Sequence, residues 1–528
     1  MAAPGFGKDM FSNIKAELPS QLPAYLKNQR WFGAKAREIS ATDVIDVIRL
    51  QREGLDAVVL LVNVEYQGGG ADLYSVPLVA GDRASSPDAL WISRGDAGRK
   101  VTFGDAMQEE SFLSLLLEAI QRGLIFTGEV GELRTSCTHA LELQETGAAG
   151  SLLPRAIKAE QSNSSIAYGE RLMLKFFRRL EEGINPDLEM SGFLTEKAGY
   201  QHTPQLLGAL EYRAANGRLM TQAILQAFVA NQGDAWQYTM KSISSFYDEV
   251  GSIAISGALT AAQENSARAL MAPFLDSVAL LARRTAELHL ALASAPAAQH
   301  PDFSPEPFDA NFQEGFEQAL EELTHRVFKQ LRKANEHFPD AVKAKAVELL
   351  AAEGDIRRRF HTALSDPVRA LRTRIHGDYH LGQVLYTGSD FVIIDFEGEP
   401  ARPMSQRRLK RSPLQDVAAM LRSFHYAAYA RLLAATGTVQ FDDRNRQNLN
   451  AWAERWAKWV GDRFLEEYLK VAHGAAFLPP TRAEIMALLQ LQLLEKAVYE
   501  LGYELNNRPD WVAIPLEGIS KTLASTIS

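Results

Sequence analysis

The chain has a single cysteine, Cys137, so no disulfide can close within it and a reducing compartment is the natural setting. Cys137 is read as an ordinary thiol. Long hydrophobic runs are also missing: "AVVLLV" at 57–62 falls far short of the roughly 20 residues that a spanning helix needs. The first thirty residues lack a basic stretch followed by an apolar one, so neither a leader nor an anchor is expected, and the expected location is cytoplasmic. No charge of one sign dominates. The 56 Lys+Arg and 65 Asp+Glu leave a net charge of -9 without long blocks, which argues against nucleic acid and membrane surfaces as partners. What remains is ordinary globular material: 528 residues, 46% hydrophobic and 23% charged, enough for two or three cores.

The pattern along the chain changes from strand-like to helical. "DVIDVIRL", "DAVVLLVNVEY" and "LYSVPLV" between 42 and 80 are rich in Val, Ile and Leu and read as strands. Gly68, Gly69 and Gly70 lie between two of them, and because no Lys-Ser/Thr or helix start follows, they read as a hairpin turn rather than a phosphate loop. A second strand group at 154–180 leads into a proline-started helix, "NPDLEMSGFLTEKAG". From about 229 onward apolar residues recur at three and four spacing, as in 271–293, 316–338 and 485–505. The Ala/Pro-rich "ALASAPAAQHPDFSPEP" reads as a surface connection. Strands first and helices afterwards give an α+β, two-lobed plan.

The stretch "RIHGDYHLGQVLYTGSDFVIIDFEGEP", 374–400, carries the chemistry. Phosphoryl transfer needs a carboxylate near the acceptor hydroxyl, oxygen ligands for Mg²⁺ and a cation on the donor phosphates. Asp378 in "HGDYHLGQ" suits the first role. Gln383 follows five residues later, at the offset of the metal-binding Asn in protein kinases, and its amide oxygen is a hard, neutral donor of the same kind. "VLY" and "FVIIDF" read as a hairpin joined at "TGSD", which would bring Asp395 beside the loop as the charged metal ligand. Ordinary turn residues are the alternative for each aspartate, but the three oxygen groups within eighteen residues have the spacing the chemistry requires. His380 is open between loop packing and substrate contact.

For the cation, "RLMLKFF" offers Lys175, flanked by apolar residues on a strand. Such a lysine has a neutralising partner more often than it snorkels to the surface, and Glu189 on the following helix is the first candidate, with Glu196 as competitor. No G-x-G-x-x-G precedes it. The turn "EQSNSSIAYG" instead offers Ser162, Ser164 and Ser165 to ATP phosphate oxygens, against the alternative of a plain polar hairpin. "RLMTQAILQAFV" is where a hinge is expected, with backbone near Gln222 to Gln226 available to adenine.

"LPAYLKNQRWFGAKAREI", "HGDYHLGQVLYTGSDFVIIDFEGEPARPMSQRRLKRSPLQDVAAMLRSFHYAA" and "EKAVYELGYELNNRPDWVAIPLEGI" together resemble bacterial maltokinases, including the maltokinase portions fused to trehalose synthases. The resemblance spans nearly the whole chain. It implies a bilobal, protein-kinase-like fold of the aminoglycoside-phosphotransferase type with an N-terminal cap subdomain at 1–110, an intermediate subdomain at 111–228 and a helical C-lobe at 229–528. It further implies ATP-dependent phosphorylation of maltose to maltose 1-phosphate for α-glucan synthesis, Mg²⁺ as cofactor and a functional association with trehalose synthase. The roles it implies agree with the chemistry: Asp378 as base, Gln383 and Asp395 on Mg²⁺, Lys175 on the nucleotide. Gln383 is normal for that family. Asp416 is expected to buttress the loop by accepting backbone hydrogen bonds. The basic run Arg407, Arg408, Lys410 and Arg411 is open between phosphate attraction and a solvated loop.

Sugar recognition is expected on the helix near 485–505. Leu491, Leu494, Val498, Leu501 and Leu505 form its core stripe at about 100° per residue, and Lys496, Tyr499, Glu500, Tyr503 and Glu504 lie opposite. A solvated face explains Lys and Glu. Two tyrosines fit a carbohydrate site better, since sugars need aromatic faces and charged hydrogen-bond partners. Trp31 and Phe32 of "QRWFGAKAR" are expected to anchor the cap. Two other functions compete: a related sugar kinase, such as one acting on glucosamine, shares every phosphotransfer residue, and a silent binding protein of α-glucan metabolism would not need them.

Overall fold

A computed structural model describes residues 8–80, 89–94, 99–141, 152–157, 163–250, 260–435 and 443–524. The chain divides after Ala230 into two compact units. No helix among the described residues is long and apolar enough to cross a membrane.

The first unit is built on two antiparallel sheets. The strands β1 (Ile39–Arg52), β2 (Leu55–Tyr66), β3 (Ala71–Ala80), β4 (Leu90–Arg94) and β5 (Arg99–Asp105) make one sheet in the order β1-β2-β3-β5-β4. Strand β2 is apolar on both faces because it is covered on both. Val58, Leu60, Val62 and Val64 pack with Leu18, Leu22, Leu26 and Phe32, while Val59 and Leu61 face Phe112, Leu116 and Ile120. Gly68, Gly69 and Gly70 all take positive φ in the β2–β3 turn, which explains three consecutive glycines and fits the hairpin reading.

The other sheet contains β6 (Ile125–Thr127), β7 (Glu132–Cys137), β8 (Pro154–Ile157), β9 (Asn163–Tyr168) and β10 (Leu172–Phe177), followed by β12 (Leu206–Arg213) and β13 (Leu219–Ala227). Its order is β6-β7-β12-β13-β10-β9-β8. The chain leaves β10 through Arg178 into β11 (Arg179–Leu180), which pairs with β3 and so ties the two sheets together. Arg178 is buried. It donates to Ser164 at 2.9 Å, pairs with Asp105 at 2.7 Å and lies 4.6 Å over the Trp31 ring. Trp31 and Phe32 are themselves buried against Tyr74.

The second unit is mostly helical. Its long helices are Ala235–Val250, Ala272–Leu292, Ala310–Ala334, Leu414–Ala435, Asp443–Val471 and Arg482–Asn507. Ala272–Leu292 packs on Asp443–Val471, and Leu414–Ala435 packs on both Asp443–Val471 and Arg482–Asn507, around Phe424, Trp452, Trp456 and Phe464. Helix Arg482–Asn507 begins with a reciprocal cap in which Thr481 and Glu484 satisfy each other's backbone N–H groups. The Ala/Pro-rich connection is not wholly superficial, because Ala295 and Phe303 are buried, with the Arg374 guanidinium 5.2 Å over the Phe303 ring. Inserted among the helices is the segment 374–398, with its antiparallel hairpin Val384–Tyr386 and Phe391–Ile393.

Candidate active site

The loop before the hairpin is held from behind by one carboxylate. Asp416 accepts the backbone N–H of His376 at 2.7 Å and of Gly377 at 3.0 Å, and it meets His289 Nε2 at 3.2 Å. His289 is oriented in turn by Tyr468 at 2.8 Å. Burial pushes the Asp416 carboxyl up, but His289, His376 and the Gly377 N–H outweigh it and hold the group below the usual carboxylate range. Gly377 needs its lack of a side chain because its φ is +82°. His376 Nε2 meets the Ile394 carbonyl at 2.9 Å, and the buried Tyr379 hydroxyl meets Thr285 at 2.8 Å. The backbone on both sides of Asp378 is therefore fixed by partners remote in sequence.

Asp378 itself stays accessible, with its side chain 20% exposed and its carboxylate 3.9 Å from His380 Nε2. His380 caps the short turn that follows, its Nδ1 accepting the Gly382 N–H at 3.0 Å. Desolvation lowers the His380 pKa by more than the Asp378 carboxylate raises it. Both sequence readings of His380 thus have a counterpart: one ring nitrogen serves the loop and the other faces the candidate base.

Gln383 Nε2 lies 2.9 Å from Asp395 Oδ2. Among the described residues Asp395 alone, apart from glycines, has a positive φ, 67°. That conformation costs of order 1–2 kcal/mol and is tolerated at sites where a side chain must be aimed. Oxygens of Asp395 and Glu397 lie within 4.8 Å of each other. Two carboxylates and an amide form a hard-oxygen donor set of the kind Mg²⁺ takes, so these residues fit the cation, with Glu397 a ligand candidate that sequence reasoning missed.

In the first unit, β10 presents Lys175 with its side chain 11% exposed, paired to Asp187 Oδ2 at 3.0 Å. Asp187 is buried in the first turn of the helix Pro186–Phe193, where Asn185 caps the helix by accepting the Asp187 N–H at 2.8 Å. The sequence reading named Glu189 as the partner. Glu189 is half-buried on the same helix, and Asp187 is a carboxylate partner of Lys175 that the sequence reading did not name; the signal that could have found it is the Asn-Pro start that fixes this turn. Ser165 stands opposite Lys175 in the β9–β10 ladder, and Ser164 is engaged by Arg178. Ser162 lies outside the described residues. Gln222 is buried and donates to the Phe177 carbonyl, while Gln226 reaches Ser191.

On the helix Arg482–Asn507 the core stripe is as expected for Leu491, Leu494, Val498 and Leu501, which are buried, with Leu505 half-buried. The opposite face is not one surface. Glu500 turns inward to Arg422, at 2.8 Å from Nε and 2.7 Å from the second nitrogen, and Glu504 is buried and held by Arg508 at 2.8 Å. Tyr503 is exposed, with the Arg508 guanidinium 5.5 Å from its ring. Lys496 and Tyr499 remain half-buried together, the ammonium 4.9 Å from the ring. Burial raises the Tyr499 pKa, and the nearby Glu399 and Asp378 carboxylates raise it further. Tyr499 is thus within electrostatic reach of Asp378, and Lys496 of His380. Glu399 is a second residue that sequence reasoning missed. The basic run is no solvated loop either: Lys410 is buried on Glu306 at 2.6 Å, and burial lowers the Arg411 pKa to about 10.

A family model described as "Maltokinase N-terminal cap domain" matches residues 25–108. A glucosamine kinase of Mycolicibacterium smegmatis is 23% identical over 363 residues, covering 68% of this chain and 77% of that protein. One from Streptacidiphilus jiangxiensis is 25% identical over 53% of this chain and 56% of its own length. A crystal structure of a glucosamine kinase superposes with a TM-score of 0.63 at 20% identity, covering 97% of this chain and all of that one. The α+β, kinase-like fold with an N-terminal cap is the one found. These findings support the maltokinase-like resemblance read from the sequence.

Proposed function

We propose that this protein transfers the γ-phosphoryl group of ATP to the anomeric hydroxyl of maltose, giving maltose 1-phosphate and ADP. The observation that carries phosphotransfer is the loop in which Asp416 fixes His376 and Gly377 while Asp378 stays accessible beside the Gln383–Asp395 pair. The choice of maltose rests on the cap match at 25–108. Asp378 takes the proton of the attacking hydroxyl, whose anomeric position makes it more acidic than an ordinary alcohol. Lys175, oriented by Asp187, meets the nucleotide phosphates, with Glu189, Ser164 and Ser165 nearby in the same unit. Gln383, Asp395 and Glu397 would hold Mg²⁺, which when bound supplies charge neutralisation on the phosphates. On the acceptor side, Tyr499, Lys496 and His380 meet the sugar, while Glu500 and Glu504 position Arg422 and Arg508. Supply of α-glucan synthesis, association with trehalose synthase and a cytoplasmic location belong to the same reading.

Glucosamine is the second reading, favoured by the names of the relatives whose fold the chain shares. ATP consumption with maltose, glucose, glucosamine and trehalose side by side decides between them. Maltose is expected to give the highest kcat/KM, and a preference for glucosamine would overturn the assignment.

A further inference from the structure

One helix of the second unit, Leu414–Ala435, grips both the loop that carries Asp378 and the helix that carries Tyr499 and Lys496. On the loop side, Asp416 accepts the His376 and Gly377 N–H groups ahead of Asp378, and the buried Ser423 Oγ accepts the Leu381 N–H behind it at 3.1 Å. On the other side, Arg422, the neighbour of Ser423, is buried and donates from Nε to Glu500 Oε2 at 2.8 Å. Glu500 directly follows Tyr499 and lies one turn after Lys496. Two adjacent residues of one helix thus reach the two parts of the candidate site.

A third helix, Ala513–Ala524, completes the seat of the guanidinium. A Cβ on its residue Gly518 would overlap Arg422 Nη1 and lie 2.8 Å from Cζ. Glycine is a poor helix former, so its place inside this helix needs a packing reason, and the guanidinium supplies one. Arg422 Nη1 also meets His425 Nδ1 at 3.4 Å. Burial, and after it Arg422 and Lys521, hold His425 well below the usual histidine range, so its ring is neutral and offers Arg422 a lone pair.

A buried ion pair is a poor means of gaining stability, since well-packed apolar side chains of similar volume serve as well or better. What it adds is direction. The planar guanidinium takes a carboxylate in a fixed geometry, whereas apolar packing tolerates slips and repacking. The Arg422–Glu500 contact therefore sets the rotation of Arg482–Asn507 against the helix that also holds the loop. We infer that Arg422 is a positioning residue for the acceptor: through Glu500 it fixes Tyr499 and Lys496 relative to Asp378, so that the acceptor hydroxyl is presented to the base. This rests on the proposed transfer to a sugar and adds what aligns the two parts of the site.

The test uses Arg422→Lys, which keeps the charge but loses the fork, and Gly518→Ala, which displaces the guanidinium while leaving both members of the pair in the chain. Thermal melting verifies folding. With whichever of maltose, glucose, glucosamine and trehalose the unmodified protein prefers, both variants should lower kcat/KM for the sugar by about tenfold to a hundredfold, chiefly through a raised KM, while KM for ATP stays unchanged. A merely stabilising Arg422 would lower kcat alone, in proportion to the folded fraction; that result, or unchanged kinetics, overturns the inference. Amide hydrogen exchange reads the same alignment with no sugar present: residues 496–504 should exchange faster in both variants, and unchanged exchange there overturns it as well. The two readings fail separately. If the unmodified protein prefers glucosamine and the variants raise its KM, the maltose assignment fails and the positioning role stands. If it prefers maltose and the variants leave that KM alone, only the positioning role fails.

Discussion

Asp416 and Glu495 are both buried carboxylic acids in the helical unit, and they are driven in opposite directions. Asp416 is held below the usual carboxylate range, whereas Glu495 is pushed above it. Burial acts upward on both, so burial does not make the difference. Asp416 accepts two backbone N–H groups and meets His289, while Glu495 has only the field of Arg402, Arg411 and Lys496 and one oxygen with no donor. A carboxylate satisfied by the fold acts as a clamp. One the fold leaves unsatisfied is driven toward its neutral form.

The largest effect should come from the group the clamp serves. Asp378→Asn should keep the loop in place, since Asp416 holds the backbone of the two residues before it, yet lower turnover by roughly 10²–10⁴ as a lost general base does. Melting temperature and nucleotide binding should stay near those of the unmodified protein, and near-normal turnover would remove Asp378 from the role. Breaking the clamp itself should instead cost stability. Asp416→Asn presents an amide where the His376 and Gly377 N–H groups and His289 need acceptors, a loss of about 3–5 kcal/mol to be read by denaturant unfolding.

The pH dependence of the two acids should also differ in sign. Asp416 has a depressed folded pKa, so its contribution is present above the unfolded value of about 3.9 and is lost as pH falls through the folded one. Glu495 has a raised folded pKa, so its contribution is complete below about pH 4.3 and is lost as pH rises through the folded value. Glu495→Gln should therefore leave the melting temperature at neutral pH equal or higher, the smallest stability effect of the set. A clear fall would mean that the ionised form has partners in the fold. On turnover with Mg·ATP, Asp395→Ala should cost more than Gln383→Asn, whose carbonyl survives at shorter reach. Equal, small effects in both would remove the metal assignment.

The same contrast explains what the sequence could reveal. The candidate loop is contiguous: Asp378 and Gln383 precede a short hairpin and Asp395 follows it, so their spacing was readable, and Asp416 was readable because "SPLQDVAAML" follows closely. The continuous apolar run of β2 and the core stripe of Leu491 to Leu501 were legible for the same local reason. Partnerships across long separations were not. Helical periodicity put Glu500 and Glu504 on the face opposite the core, but it cannot show that Arg422 and Arg508 draw them inward. Nor could it pair Tyr499 with Glu399, a residue 100 positions away on an irregular segment. Lys175 was conspicuous as a lone cation in an apolar strand, whereas its pairing with Asp187 needed the capped first turn in three dimensions.

The central claim is transfer to the anomeric hydroxyl of maltose, and the most direct measurement follows reducing-sugar signal against ATP consumed with maltose as acceptor. One reducing end should disappear for each ATP used, because a phosphate at that position blocks ring opening. ATP consumption with the reducing end intact would mean that another hydroxyl is the acceptor, and would contradict the account.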